Sequence, residues 1–216
     1  MSARVCSPRE ERFNVVSHAA GLIASLAALP LLVLLAAQQA DALAVVGVLI
    51  FGLSLVGVYA ASTMYHRVPA GPAKDLWLRL DCAAVYLLIA GTYTPFTLGA
   101  LRGPWGLTLL IIVWCGAALG IYTKVRFGRR YPTVTTFGYL ALGWLVVFAI
   151  DPLVSAIGWE GFRWLVAGGL AYTVGVIFCI YNHRVRYGHC AWHIFVLAGS
   201  ACHVIAVVAY GMRPPQ

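Results

Sequence analysis

Apolar residues run through this chain in long blocks separated by short polar stretches. Six of the blocks come close to the ~20 residues that carry a helix across a bilayer, and a seventh is slightly shorter. The pattern predicts seven transmembrane helices over 15–37, 43–65, 77–98, 104–122, 134–150, 163–182 and 190–211. The connections are too short to fold separately, so residues 1–216 are expected to form a single all-α transmembrane domain. The first block, apolar from Ala19 and ending in Ala-rich sequence at Ala37, invites comparison with a cleaved signal peptide. Its apolar part is longer than the usual signal core and follows Glu10 and Glu11, which favours a retained span.

The basic residues orient these spans. Arg4, Arg9 and Arg12 precede the first; Arg67, Lys74 and Arg79 lie between the second and third. Lys124, Arg126, Arg129 and Arg130 fall between the fourth and fifth, and Arg184 and Arg186 between the sixth and seventh. Twelve thus share one side, against Arg102, Arg163 and Arg213 on the other. By the positive-inside rule the N-terminus is cytoplasmic and the C-terminus outside, in a multi-pass protein of the cell membrane.

Composition agrees. Of 216 residues, 62% are hydrophobic and 10% charged, too few charges to cover a soluble domain of this length. The net charge of +8 belongs mostly to the cytoplasmic loops, where it suits anionic lipid headgroups and gives no reason to propose nucleic acid. Six cysteines (Cys6, Cys82, Cys115, Cys179, Cys190, Cys202) show no CxxC spacing and read as buried free thiols. Trp77, Trp105, Trp159 and Trp192 fall near span ends, as interface anchors do.

Ionisable residues inside a span cost several kcal/mol unless paired, so the few present carry the functional signal. The second span ends in Ser62-Thr63-Met64-Tyr65-His66, the third opens with Leu80-Asp81-Cys82, and the seventh opens with His189-Cys190-Ala191-Trp192-His193. With the orientation above, Ser62, His66, Asp81, His189 and His193 all arrive at the cytoplasmic leaflet. His189 and His193, four apart, share a helical face and can grip one ion; Ser62 and His66 repeat the spacing. Three imidazoles with a fourth position open is a catalytic zinc pattern. Copper, nickel and iron also accept imidazole, but the absence of a redox-tuning sulfur favours zinc.

Each residue also has a plainer reading. The histidines could be interfacial and meet headgroups, Asp81 could pair with Arg79, and Ser62 could bond its own helix backbone. His203, ten residues beyond His193 and roughly 15 Å along the axis, cannot share the same ion and stands as a core or second-site histidine. His18 is at the right depth without a partner spacing. His183 falls in a loop.

The residues also carry a resemblance. Glu11-Arg12-Phe13-Asn14 with Ser17-His18, Ser62-Thr63-Met64-Tyr65-His66-Arg67, Asp81, and Gly91-Thr92-Tyr93-Thr94-Pro95 occur in order. They are followed by Gly169-Leu170-Ala171-Tyr172-Thr173-Val174-Gly175, His189-Cys190-Ala191-Trp192-His193, Val196-Leu197-Ala198-Gly199 and His203. Over almost its whole length the chain resembles the hemolysin III proteins, the bacterial branch of the progestin and adipoQ receptor family, within a superfamily of membrane hydrolases that includes alkaline ceramidases. The resemblance implies a seven-helix bundle with zinc near the cytoplasmic side, His66, His189 and His193 as ligands, Asp81 holding the water and Ser62 beside it.

Three functions follow as expectations. The first is a zinc-dependent hydrolase of lipid amide or ester bonds, with Asp81 and Ser62 catalytic and an inner-leaflet acyl-chain substrate entering between helices. The second is a non-catalytic lipid sensor or regulator of membrane lipid composition using the same ligands. The third, a direct cytolysin, ranks last, because the helices offer almost no polar stripe to line a pore. A retinal protein is excluded: Lys74 and Lys124 are the only lysines, and both fall in loops.

Overall fold

The computed structural model describes residues 7–39, 41–128, 130–182 and 184–212. The expectations placed on Arg4, Cys6, Arg129, His183 and Arg213 lie outside them. Among the described residues the chain is helical, without strands, as α1 (Pro8–Ala37), α2 (Ala42–Arg67), α3 (Pro72–Leu98), α4 (Pro104–Phe127), α5 (Pro132–Gly143), α6 (Ile150–Ile180) and α7 (Gly188–Ala206). A 3-10 stretch, Trp144–Ala149, joins α5 to α6, and a π-helical turn, Val207–Gly211, extends α7.

Local sequence sets these boundaries. Ser7 and Glu10 close a reciprocal capping box at the start of α1. Asp41 caps α2 by accepting a hydrogen bond from the Leu43 amide. Pro72, Pro104 and Pro132 begin their helices, where a missing N–H costs nothing. Gly128, at φ 57°, ends α4 in a conformation only glycine takes without strain.

Among the described residues, six helical segments are long and apolar enough to cross a membrane: α1, α2, α3, α4, the 49-residue stretch Pro132–Ile180, and Gly188–Gly211. The sequence pattern put a connection between the blocks 134–150 and 163–182. Instead the chain stays helical there and breaks at Gly158, whose φ of 70° and ψ of 169° are non-helical. Glycine can adopt these angles without a Cβ clash, so the axis changes direction at one residue and needs no loop.

α2 packs between α1 and α3, α7 lies against α6 and α1, and α4 covers α3. Phe51, Leu55 and Tyr59 of α2 meet Leu32, Leu88 and Val196 in the main core. α6 and α7 approach closely through Gly175 and Gly199: a Cβ on Gly175 would lie 2.8 Å from the Trp192 ring, and one on Gly199 2.6 Å from Tyr172. Trp192 therefore packs inward on α6 rather than serving as an interface anchor, whereas Trp105 and Trp159 are exposed. Ile23, Leu119, Val134 and Phe148 also face outward, the surface expected of a protein solvated by acyl chains. Of the five described cysteines, all free, Cys115 is exposed and the other four are half-buried, so none is fully buried as the sequence suggested.

Candidate metal centre

Two helix ends bring the histidines together. His66 occupies the last turn of α2, and His189 and His193 the first turns of α7. The chain enters α7 through Tyr187, held left-handed at φ 59°. His66 Nε2 lies 3.1 Å from His189 Nε2, and one ring nitrogen from each of the three histidines lies within 4.8 Å of the other two. The ring centroids are 4.7 to 5.0 Å apart.

The first turns of α1 flank this group. Glu11 Oε2 accepts a hydrogen bond from His66 Nδ1 at 2.7 Å, while the other carboxylate oxygen faces Lys74 at 3.7 Å. Ser17 Oγ lies 3.0 Å from His193 Nδ1, and His18 stacks on the His193 ring at 3.5 Å. Glu10 Oε1 accepts from the Tyr187 amide, two residues before His189, and the Phe13 ring meets the Tyr187 ring edge-on. Glu10, Asn14, Ser17, His18 and Gly21 make one buried face of α1. Sequence reasoning ranked His18 second and gave Glu10, Glu11 and Ser17 no role of their own. The available signal was the i, i+3, i+4, i+7 spacing of Asn14, Ser17, His18 and Gly21, with Glu10 one turn before them, ahead of an apolar run.

These contacts fix the histidine tautomers. A carboxylate only accepts, so His66 must present Nδ1–H to Glu11. Ser17 donates its own proton to the Asn14 carbonyl, so it accepts from His193 Nδ1–H. Both residues are left with the Nε2 lone pair free. That is how outer partners orient metal-ligating histidines, and it makes the donor set fit a nitrogen-preferring cation. Nε2 atoms 3.1 Å apart need a proton or a cation between their lone pairs.

The remaining expected residues divide. Ser62 is buried beside the Asp81 carboxyl group, one helical turn before His66. Arg79, the alternative partner for Asp81, instead donates to the Val125 carbonyl. His203 is not part of the cluster. It packs against Tyr172, with ring centroids 5.4 Å apart, and lines a separate cavity of about 220 Å³. That cavity is almost wholly apolar and lies among α3, the α5–α6 stretch and α7. Its lining begins at Val58 and Val85, one turn from Ser62 and Asp81 respectively.

Residues 6–204 match the model of a family described as haemolysin-III related. The chain belongs to the hemolysin III family. Among curated relatives, it is 41% identical over 207 residues to the Hemolysin-3 homolog of Bacillus subtilis, covering 96% of this chain and 97% of that protein. It is 42% identical over 202 residues to Hemolysin-3 of Bacillus cereus, covering 94% and 92%. The human monocyte to macrophage differentiation factor, of the progestin and adipoQ receptor family, is 26% identical over 171 residues, 77% of this chain and 71% of that protein. Membership of the hemolysin III family and the six apolar helical segments make this a multi-pass integral membrane protein, consistent with a cell membrane.

Proposed function

We propose that this hemolysin III protein is a zinc-dependent hydrolase of lipid amide or ester bonds. The carrying observation is the convergence of His66, His189 and His193 with two of their outer nitrogens already engaged by Glu11 and Ser17. Three imidazole nitrogens without a thiolate favour zinc. Zinc, when held by these three residues, supplies Lewis-acid polarisation of a scissile carbonyl and acidifies water. The Asp81 carboxylate would orient the attacking water, take its proton and pass it to the leaving amine or alcohol; once Asp81 is protonated, the Ser62 hydroxyl, until then hydrogen-bonded to that carboxylate, is free to donate to the carbonyl oxygen that gains negative charge. The substrate's acyl chain occupies the apolar cavity, whose lining begins one turn from these two residues.

The topology belongs to the same reading. Forty-nine helical residues measure about 74 Å, more than twice a ~30 Å hydrocarbon core. The break at Gly158 supports two spans there, hence seven in all. The twelve-to-three split of basic residues then puts the N-terminus and the three histidines on the cytoplasmic side, with the C-terminus outside.

The test is metal content by elemental mass spectrometry on detergent-purified protein, beside the His189→Ala/His193→Ala double variant, followed by a lipid-hydrolysis screen with Asp81→Ala as control. About one zinc per chain, lost in the double variant, with lipid cleavage lost in Asp81→Ala, is the expected result. A wild-type protein that neither retains nor takes up zinc sinks the reading. Zinc without cleavage of any lipid leaves a sensor.

A further inference from the structure

The apolar cavity runs along most of the bundle, and its far end is closed. On α3 its lining extends from Val85 to Thr97, and on α6 from Phe162 to Val176. These stretches of twelve and fourteen residues measure about 18 and 21 Å, more than half of a ~30 Å hydrocarbon core. Toward the cluster the lining stops one turn from Ser62 and Asp81. At the opposite end it stops on Leu101, Leu109 and Leu153, all three buried.

Backbone contacts hold that end in place. Leu101 follows the last turn of α3, and its amide donates back to the Phe96 carbonyl at 2.8 Å, so the chain turns over there instead of running on. A Cβ on Gly99 would collide with the Gly211 carbonyl oxygen, and one on Gly106 with the Leu101 carbonyl oxygen. Backbone packed this closely cannot yield as a flexible side chain would. The flank is different. Of the lining residues only Gly143 and Val147 are exposed, and both fall where α5 passes into the 3-10 stretch, which makes a lateral slot. Inside, Thr92 and Thr97 donate their hydroxyls to carbonyls of α3 and present nothing polar to a ligand.

We infer that the cavity is a ruler for one extended acyl chain of about 16–20 carbons, and that Leu101, Leu109 and Leu153 are its stop. Asp81, beside which the proposed mechanism sets the scissile carbonyl, precedes Thr97 by sixteen residues, about 24 Å along α3. Carbon–carbon bonds of ~1.52 Å meeting at ~111° advance an extended chain by ~1.25 Å per carbon, so that height takes about 19 carbons. A shorter chain leaves part of the apolar wall uncovered. A longer one must displace the leucines or bend out through the slot. This length rests on the reading that the cavity holds the substrate's acyl chain.

The experiment uses full-length protein in detergent and native mass spectrometry with an equimolar mixture of saturated fatty acids of about 10 to about 24 carbons, which brackets that length. A fatty acid is the acyl product of the proposed cleavage and keeps the chain. One mixture presents the same micelles to every variant, so differences in relative occupancy belong to the protein. Wild-type occupancy should fall about tenfold once the chain passes about 20 carbons, the cost of forcing extra methylenes into a closed apolar site. Leu109→Ala opens room at the stop and should move that fall to chains about two carbons longer. Leu165→Trp fills the cavity one turn nearer the cluster than Phe162 and should move it about four carbons shorter. A fall at the same chain length in all three proteins overturns the assignment of the stop. Occupancy that stays level through the longest acid overturns the ruler. Occupancy by none of the acids overturns the acyl-chain reading of the cavity instead. Should one variant fail to fold, wild type and the other variant decide.

Discussion

Helix α7 holds buried imidazoles in two settings. At its start His193 is gripped from outside: Ser17 takes its Nδ1–H, His18 covers its face, and His66 and His189 stand around its free nitrogen. Ten residues on, His203 is equally enclosed, yet its neighbours are an aromatic face, a glycine and an apolar cavity. Burial alone therefore does not distinguish a ligand from a core histidine. What distinguishes them is whether the protein engages the outer nitrogen and so directs the inner one. His193 has its outer nitrogen engaged by Ser17, and among the described residues His203 Nδ1 is engaged by none.

The largest effect should come from breaking the first setting outright. His66→Ala removes one of three donors and should weaken zinc binding, read by competition with a chelating dye, by more than the 10–100-fold that an outer partner is worth. Removing outer partners should cost less, in an order set by charge. Glu11→Ala is expected to weaken zinc 10–100-fold, and Glu11→Gln, which keeps an acceptor oxygen without its charge, somewhat less. Ser17→Ala removes a neutral acceptor and should cost about tenfold or less. Equal affinities across wild type, Glu11→Ala and Ser17→Ala would erase the distinction between the two settings.

How much of this could be read beforehand depends on the range of the forces involved. Apolar blocks are a property of consecutive residues, so the helices stand in the sequence. His189 and His193 are legible as a pair because four residues make one turn, and His66 joined them once the basic loops suggested a common side. The α1 contribution was not legible in the same way. Glu10 and Glu11 read as charges ahead of a span, and only the packing of α1 against α2 and α7 turns one toward Tyr187 and the other toward His66. Trp192 misled for a similar reason: its place near a span end suggested an anchor, whereas Gly175 on α6 makes room for it inside. The interruption between residues 150 and 163 was legible as a gap between apolar blocks, but that it would be a single non-helical residue, Gly158, rather than a loop was not.

The second setting can be broken without touching the first. Gly168→Ala places a methyl group 2.8 Å from His203 Nε2 and 3.1 Å from the Gly199 carbonyl oxygen, and the backbone oxygen cannot retreat as a side chain could. Overpacking of this kind costs about 1–3 kcal/mol. Thermal unfolding in detergent should show that loss while zinc affinity stays at the wild-type value. A fall in zinc affinity equal to that of Glu11→Ala would mean that the two regions of α7 are one unit.

The smallest expected effect lies at the opposite end of α2 from His66, and it separates the acid sensitivity of the scaffold from that of the cluster. Asp41 caps α2 and pairs with Arg102 in the connection between α3 and α4. The hydrogen bond from the Arg102 guanidinium holds the Asp41 carboxyl below its ordinary value of 3.8. A carboxyl whose pKa is lower folded than unfolded stabilises the fold above the unfolded value and loses that contribution as pH falls through the folded one. Wild type should therefore lose a small increment of thermal stability below about pH 4, and Asp41→Asn should lack that increment at every pH. The pair is solvent-accessible, so high salt should diminish the difference at neutral pH. A wild-type acid step below pH 4 that persists unchanged in Asp41→Asn would assign it instead to Glu11 at the cluster end, whose carboxyl the hydrogen bond from His66 holds below its ordinary value.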